Sequence, residues 1–533
     1  MMRRELIKAV ALVALCGGGA GTLAQSQFGT PSMAGLTLLH AVETTLSRHP
    51  ALGVQKAQVD ISRGLKQQAS GAFDTTLQSG VAELRNTTPL TFYEQTQDAL
   101  AGLPGGALAS RQTSYTLGAS KLFRDGILVS PGFQLNRITD NLTNITGINT
   151  SSTSILIAVP LLRGRGRSVV DAQEHAAGVE VEASLLDLNQ LAAQLITNVA
   201  SSYWQLVGAR KLLKIALDAE TRAQVYVENV QALIDADHVP RSDINEVNAN
   251  RADSTANRIV AEQGVIAAQE QLALDMGLTA SEMLQLPDPT DDFPLGENQQ
   301  VPPNSASALR FYLNEALRRR ADYLAAEKRS IEARVLLTAA KNAVLPQLNL
   351  NISTGYNGLQ EGHNVNSFFA SPVSGLRGAN ATAGLTFTRP VANNLARGQL
   401  EQADATSRQA DLHSADLARG ISAALVTAVQ GVRNAIARAS KARESVESFQ
   451  AALSGQRERY RLGTGSVVEI LTVEDKLNTA LANQVNAELS YVLALLQFRF
   501  ATGTLIAPDK AVQNLEADIL LTLPFPSVPA GPE

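Results

Sequence analysis

From Leu185 to Ile234 apolar side chains recur at steps of three and four without a slip. The row runs through Leu185, Leu188, Ala192, Leu195, Val199, Leu206, Ala209, Leu213, Ala216, Ala223, Val227, Val230 and Ile234, with Ser202 and Glu220 as polar exceptions. A heptad row of that length predicts one long helix packed along a seam. A second, partial row lies beside it: Leu186, Ala193, Ile196, Ala200, Tyr203 and Val207. Two adjacent seams let one helix touch neighbours on both sides. The wall of a helical tube needs that; a two-stranded coiled coil needs one seam.

The same periodicity predicts helices over about 36–70, 168–236, 243–276, 309–344, 395–462 and 467–502. Pro50 marks a kink or break in the first. Between helices the pattern switches to period two. Segments near Thr75–Arg85, Ser114–Phe123, Ile127–Ile138 and Thr153–Pro160 alternate apolar and polar residues, and so do Gln347–Gly355 and Ala381–Thr388. That is the weak signature of barrel strands, over about 73–160 and 347–388. Arg124-Asp125-Gly126 is a tight-turn candidate. Asn141–Ser152 and Gly358–Asn380 read as polar loops, 286–308 as a linker and 506–533 as a Pro-rich tail without a clear role.

The segments on either side of the linker, 25–285 and 309–505, are copies: Leu46, Leu65 and Leu77 match Leu317, Leu336 and Leu348 at a constant offset. Each copy holds a hairpin tip. In the second, Gly463 and Gly465 break the helix, Ser466 can cap the returning one, and Glu469 stands at a capping-box spacing. In the first, Pro240 breaks, Ser242 is the candidate cap, and Asp243 stands where Glu469 does. Each long helix has nearly 70 residues, on the order of 100 Å, and two short helices stacked end to end nearly match it. A strand-to-helix junction follows the first strands, at Pro160, Arg163, Gly164, Arg165, Gly166 and Arg167, with Pro390 in the looser second version. A phosphate cradle there is disfavoured, because no Lys-Ser/Thr pair follows.

The ordered pair of tips and the PLLRGRGR run resemble the TolC family of outer-membrane efflux proteins, over nearly the whole mature chain. The resemblance implies an α+β membrane protein: a long α-helical barrel of coiled-coil helices joined to a transmembrane antiparallel β-barrel completed by trimerisation. It implies a passive exit duct in the outer membrane, extending into the periplasm. The expected partners are two further copies, outer-membrane lipid, a periplasmic adaptor and an inner-membrane pump. It places adaptor contacts at the tips, here Val239, Pro240, Arg241, Ser242, Arg459, Arg461, Gly463, Thr464, Gly465 and Ser466. The carboxylates Asp237, Asp243, Glu469, Glu474 and Asp475 are the candidate pore constriction; solvated helix ends are the plainer reading. Families of this kind usually have four strands per subunit. The first copy here has about 45 extra residues before its tip, room for two more strands of about 9–11 residues. Six strands per subunit and eighteen per trimer are therefore expected. Even six cannot close a barrel alone, since about eight is the practical minimum.

Composition narrows the alternatives. Net charge is −5, too mild to suggest nucleic acid, and aromatics are 5%, low for a large globular core. Residues 1–24 read as a secretory signal with Arg3, Arg4 and Lys8 before an apolar run. Cys16, the sole cysteine, permits a rival reading as a lipidated N-terminus, though Leu15 fits that processing poorly. The six histidines are scattered without a ligand motif, and no GxSxG or Walker A run occurs, so no enzyme and no cofactor are expected. The alternative to a duct is a structural or adhesive coiled-coil surface protein, which predicts neither inserted strands nor paired tips.

Overall fold

The structure, a computed structural model, describes residues 35–100, 106–142, 144–237, 240–294, 301–362, 364–373, 378–506 and 520–525. The signal segment, Cys16, His238, Val239 and most of the tail lie outside the described residues.

The first copy runs α1 (Leu38–Arg48), α2 (Pro50–Ser70), β1 (Thr76–Pro89), α3 (Phe92–Leu100), β2 (Ala107–Leu122), β3 (Leu128–Asp140), β4 (Ile148–Pro160), α4 (Arg167–Val170), α5 (Ala172–Asp235), α6 (Asp243–Asp275) and α7 (Ala280–Met283). The second runs α8 (Ala306–Arg319), α9 (Ala321–Ala343), β5 (Gln347–Glu361), α10 (Val365–Ala370), β6 (Gly378–Thr388), α11 (Asn394–Arg461) and α12 (Val467–Thr502). Four expectations need correction. The helix over 309–344 is two helices, broken at Arg320. The helix over 168–236 is interrupted at Asp171. The polar loops shrink, because β4 starts at Ile148, β5 reaches Glu361 and β6 starts at Gly378. Three short helices, α3, α7 and α10, were not predicted.

The long helix α5 packs against α2 and α6 on one side and α9 and α12 on the other. Both of its predicted seams are buried, through Leu195, Val199 and Leu206 in one row and Ile196, Ala200 and Tyr203 in the other. The polar exceptions meet α6: Ser202 hydrogen-bonds Asp275, and Glu220 accepts from Arg258 (2.8 Å) and Thr255 (2.7 Å). Helix α11 in turn packs on α9 and α12. The wall therefore has four lanes, α2 with α6, then α5, then α9 with α12, then α11.

End-to-end stacking within the shared lanes uses one device twice. The chain after α6 turns at Gly277 (φ +73°), where a Cβ would lie 3.0 Å from Pro50 and 3.1 Å from the His49 Cα. The chain after α12 turns at Gly503 (φ +67°), where a Cβ would lie 2.9 Å from the Arg320 nitrogen. Each left-handed glycine caps one helix and lets the broken start of the next close onto it. His49 and Arg320 hold matching extended backbones at those breaks, φ −61°, ψ 125° and φ −69°, ψ 118°.

At one end of the wall the strands form a single antiparallel sheet in the order β1-β2-β3-β4-β5-β6. All six predicted strands are in it. Its register separates two faces. One face carries rows such as Leu117–Phe133–Thr153–Tyr356 and Val129–Ile157–Ile352–Ala383, with Leu77, Val81, Leu385 and Phe387 beside them. The other carries Gly80–Thr116–Gln134–Ser152–Asn357 and its like, with Leu84 and Leu156 as exceptions and Leu108, Leu122, Leu128, Ile138, Ile148 and Leu359 towards the strand ends. The Arg124-Asp125-Gly126 turn joins β2 to β3 at the helical end. Gly126 (φ +93°) donates to the Phe123 carbonyl (2.8 Å) and abuts the Gly164 carbonyl too closely for any Cβ.

The main core lies midway along the helices. Tyr203 donates to the Leu36 carbonyl (2.9 Å) and to Asp291 (2.8 Å), and Trp204 stacks on Phe293 at 5.6 Å. The first part of the linker, through Asp291 and Phe293, is thus packed. The tail contributes too: Leu520 is fully buried, Phe525 packs edge-on to Phe311 at 5.4 Å, and Thr522 accepts from the buried Arg499 through its carbonyl (2.6 Å) and hydroxyl (2.8 Å).

Candidate functional site

The helical ends far from the sheet come together as one paired tip. Val230, Ile234 and Val247 of the α5–α6 hairpin pack with Val467 and Leu471 of the α11–α12 hairpin, with Tyr226 and Tyr460 against them. In the second tip Gly463 (φ +73°) donates to the Tyr460 carbonyl (3.0 Å) and Thr464 to the Arg459 carbonyl (3.0 Å). This glycine-centred C-cap closes α11. Ser466 accepts from the Glu469 nitrogen at 3.3 Å, the predicted N-cap. Gly465 does not take a left-handed backbone; it is small because a Cβ would come within 3.3 Å of Arg459 and Tyr460. Arg461 is tied to Glu458 on its own helix (2.7 and 3.0 Å), whereas the exposed Arg459 guanidinium has no partner among the described residues.

The first tip is built differently. Asp237 (φ +55°) turns the chain after α5. Pro240, Arg241 and Ser242 are exposed. Ser242 does not cap α6; its hydroxyl donates to Asp243 (3.1 Å), and Asp243 takes its backbone bond from its nitrogen to the Pro240 carbonyl (3.2 Å).

The five carboxylates do not form one cluster. Asp237 and Glu469 are exposed at the tip, and Asp243 is half-buried near Tyr460, whose hydroxyl is pushed up by burial and by Asp243. Glu474 is 5% exposed and paired with Arg222 across the α5–α12 seam; Arg222 also donates to Asn478 (2.7 Å). Next to it Asp475 is pushed up by burial and by Glu474. Arg457 donates to the Tyr226 hydroxyl at 3.1 Å, and Tyr226 is pushed up by burial, then by Glu474. Arg222, Tyr226 and Arg457, with Tyr460, line a cleft of about 400 Å³ between the two hairpins. The sequence reading missed Arg222, Tyr226, Arg457 and Asn478. Each stands on a long helix beside a seam, where it resembles any solvated position.

At the other end, the junction residues hold the sheet to the helices. Arg163 donates to Gln347 (2.6 Å), Gly164 to Asn342 (2.8 Å) and Arg167 to Asp171 (2.9 Å). Gly164 and Gly166 both have positive φ, and Gly166 donates to the Asp125 carbonyl (3.3 Å). Arg165 and Pro390 are exposed. Arg124 locks the β2–β3 turn to α5 by a two-pronged bond to Glu174, both 2.7 Å.

No group of three or more His, Cys, Asp or Glu side chains that could hold a metal occurs among the described residues, and no helix among them is long and apolar enough to cross a membrane. Residues 312–504 match the model of the outer membrane efflux protein family. The chain is 23% identical over 399 residues to outer membrane protein TolC of Escherichia coli, covering 73% of this chain and 77% of that one. It is 26% identical over 348 residues to the pyoverdine export outer membrane protein OpmQ of Pseudomonas putida, covering 61% and 64%. Its fold is similar to the CmeC outer membrane channel of Campylobacter jejuni, with TM-score 0.62, 13% identity and 92% of each chain covered.

Proposed function

We infer that this chain, which matches the outer membrane efflux protein family over residues 312–504 and is similar to outer membrane protein TolC, works as follows. It is the outer-membrane exit duct of a tripartite export system, and three copies build the duct. The observation that carries this is a panel with open edges at both levels. Strands β1 and β6 each have one paired side in the protomer, and α2 and α11, which join those strands, border the helical wall. Unpaired strand edges demand partners, and in lipid a sheet is viable only when closed. Joining β6 of one copy to β1 of the next satisfies every edge. The apolar face then meets lipid and the polar face lines the passage. Transport is passive, with energy supplied by an inner-membrane pump through a periplasmic adaptor.

The paired tip is the docking end. Thr464, Gly463, Gly465 and Ser466 permit close approach of a partner's helices, and Arg459 offers an unengaged cation; Pro240, Arg241 and Ser242 form the counterpart. Asp237, Asp243, Glu469 and Asp475 are the candidate constriction, with Glu474 acting through Arg222. Substituting Gly465 would disturb the turn itself, so the test is Thr464→Trp with Arg459→Glu. Trimers of unchanged mass in detergent, with adaptor cross-linking and export both lost, are expected. Normal cross-linking and export would leave the tip only its turn-making role. A monomer in detergent would overturn the assembly.

A further inference from the structure

We propose that Arg85 and Arg111, with Arg137 beside them, form a site for the phosphate-bearing headgroup of an outer-leaflet glycolipid. The inference rests on the membrane-spanning reading above and adds to it a ligand and its residues.

The register fixes the position. On the apolar face, the last apolar row is Val81–Tyr115–Leu135. The next row outward is Glu83–Thr113–Arg137, and the next places Arg85 directly opposite Arg111, with Arg137 diagonal to Arg111. On β2 the same face carries Lys121 near the helical end and Arg111 ten residues away, with Ala119, Leu117, Tyr115 and Thr113 between. Ten residues of strand tilted by about 40° span about 25 Å, the height of the apolar band of such barrels. Lys121 and Arg111 therefore stand at its two borders. The helices mark the periplasmic end, so the arginines stand at the outer one.

The chemistry fixes the ligand. Like charges directly opposite on neighbouring strands are destabilising. Here two guanidiniums share one carboxylate: Glu83 is met by the Nε of Arg85 (2.8 Å) and the Nε of Arg111 (2.7 Å). Among the described residues no hydrogen bond engages the Nη atoms of either, and the side chains remain 71% and 55% exposed. The forks that bind phosphate in two-pronged fashion are thus left open, beside one carboxylate too few. The exposed Leu77, Val81, Leu117 and Tyr115 lie directly below on the same face, where acyl chains would run. A free anion uses the cations alone; a phosphorylated glycolipid uses both.

The test takes the full-length protein purified in detergent and stripped of lipid. Lipid A carrying both phosphates, its dephosphorylated form and inorganic phosphate are titrated against wild type and Arg85→Gln/Arg111→Gln, with retention read by native mass spectrometry. Wild type is expected to hold the phosphorylated lipid at least tenfold more tightly than the dephosphorylated one. The double variant is expected to lose that preference. Glu83→Gln, which frees both forks, should keep it or increase it. Equal retention of the two lipids by wild type, or an unchanged preference in the double variant, overturns the site. Competition by millimolar inorganic phosphate as complete as by the lipid overturns the lipid assignment. Failure of wild type to fractionate with outer membranes would instead strike the membrane-spanning reading, a separate result.

Discussion

Glu332 on α9 faces Glu180 of α5, and Arg329 bridges to Glu180 (3.2 Å) and Asp187 (2.5 Å) beside them. Burial, then the Glu180 charge and a shared proton, push Glu332 up to about 7 against the pull of Arg329. The folded value lies above the ordinary 4.5, so the folded chain keeps a proton that the unfolded chain has lost. Stability from this group is complete below about pH 4.5 and falls as pH rises towards 7. Glu332→Gln should therefore stabilise by on the order of 2 kcal/mol at pH 8 and by little at pH 4.5. Thermal unfolding at both pH values checks it: a gain independent of pH would show that proton sharing is not the cause. Arg222 offers a contrasting case, a cation that answers a buried carboxylate. Arg222→Ala strands Glu474 in the α5–α12 seam and should cost about 2–3 kcal/mol, below the full cost of breaking a wholly buried pair because Arg222 is partly exposed. Arg222→Lys should recover part of that, since it restores the charge but not the fork that also reaches Asn478. Equal loss for both would place the effect in packing.

The stacked helices turn on Gly277 and Gly503, and the hairpin tip on Gly463. All three hold left-handed backbones, so alanine costs each about 1–2 kcal/mol. They differ in space: a Cβ meets nothing within 4 Å at Gly463, but lies 2.9 Å from the Arg320 nitrogen at Gly503. Gly503→Ala should thus destabilise by about 1 kcal/mol or more beyond Gly463→Ala, since neighbouring backbone must shift. Denaturant unfolding of the two variants checks the order, and a reversed order would discard the stacking account. The element scale also shows what the sequence made legible. The long helices were readable because seams repeat over tens of residues. The six strands were readable because apolar and polar residues alternate through their middles, weakly but in all six. The break at Arg320 was not. Its counterpart at His49 is announced by Pro50, whereas Ala321 is a good helix former. There the break is held from outside, by Gly503 and by Arg320 reaching Asp322 (2.5 and 3.0 Å) and the Phe500 ring (5.3 Å). Ser242 failed as a cap for a related reason: its own Asp243 takes the hydroxyl. The polar network of Arg222, Tyr226, Glu474 and Arg457 was equally hidden, because it joins residues more than 200 positions apart through a seam that constrains only apolar neighbours.

At the scale of the whole molecule, in the proposed trimer, the β2–β3 hairpin would set the width of the outer passage. Twelve helical lanes in three copies would meet eighteen strands. Barrel diameter grows roughly linearly with strand number, and about 16–18 strands leave a water-filled channel in porins. Residues on the polar face, such as Thr116, Gln134, Ser152 and Asn357, suit that lining. The hairpin can be removed without reversing any strand. β1 and β4 each lie antiparallel to their present neighbours, and the two run in opposite senses, so they can pair directly once β2 and β3 are gone. Deleting residues 90–147 and joining the strands by a short turn should leave a trimer of twelve strands, about 1.5-fold narrower by the same scaling. It also removes the Arg124–Glu174 lock, so the junction should become less stable. The measurement is the largest neutral polymer that enters the channel from the outer side of a planar bilayer. Wild type should admit polymers that the variant excludes, while both remain trimers. An unchanged cut-off in a trimeric variant would mean that β2 and β3 do not set the width, and that the passage is limited elsewhere, at the helical tips.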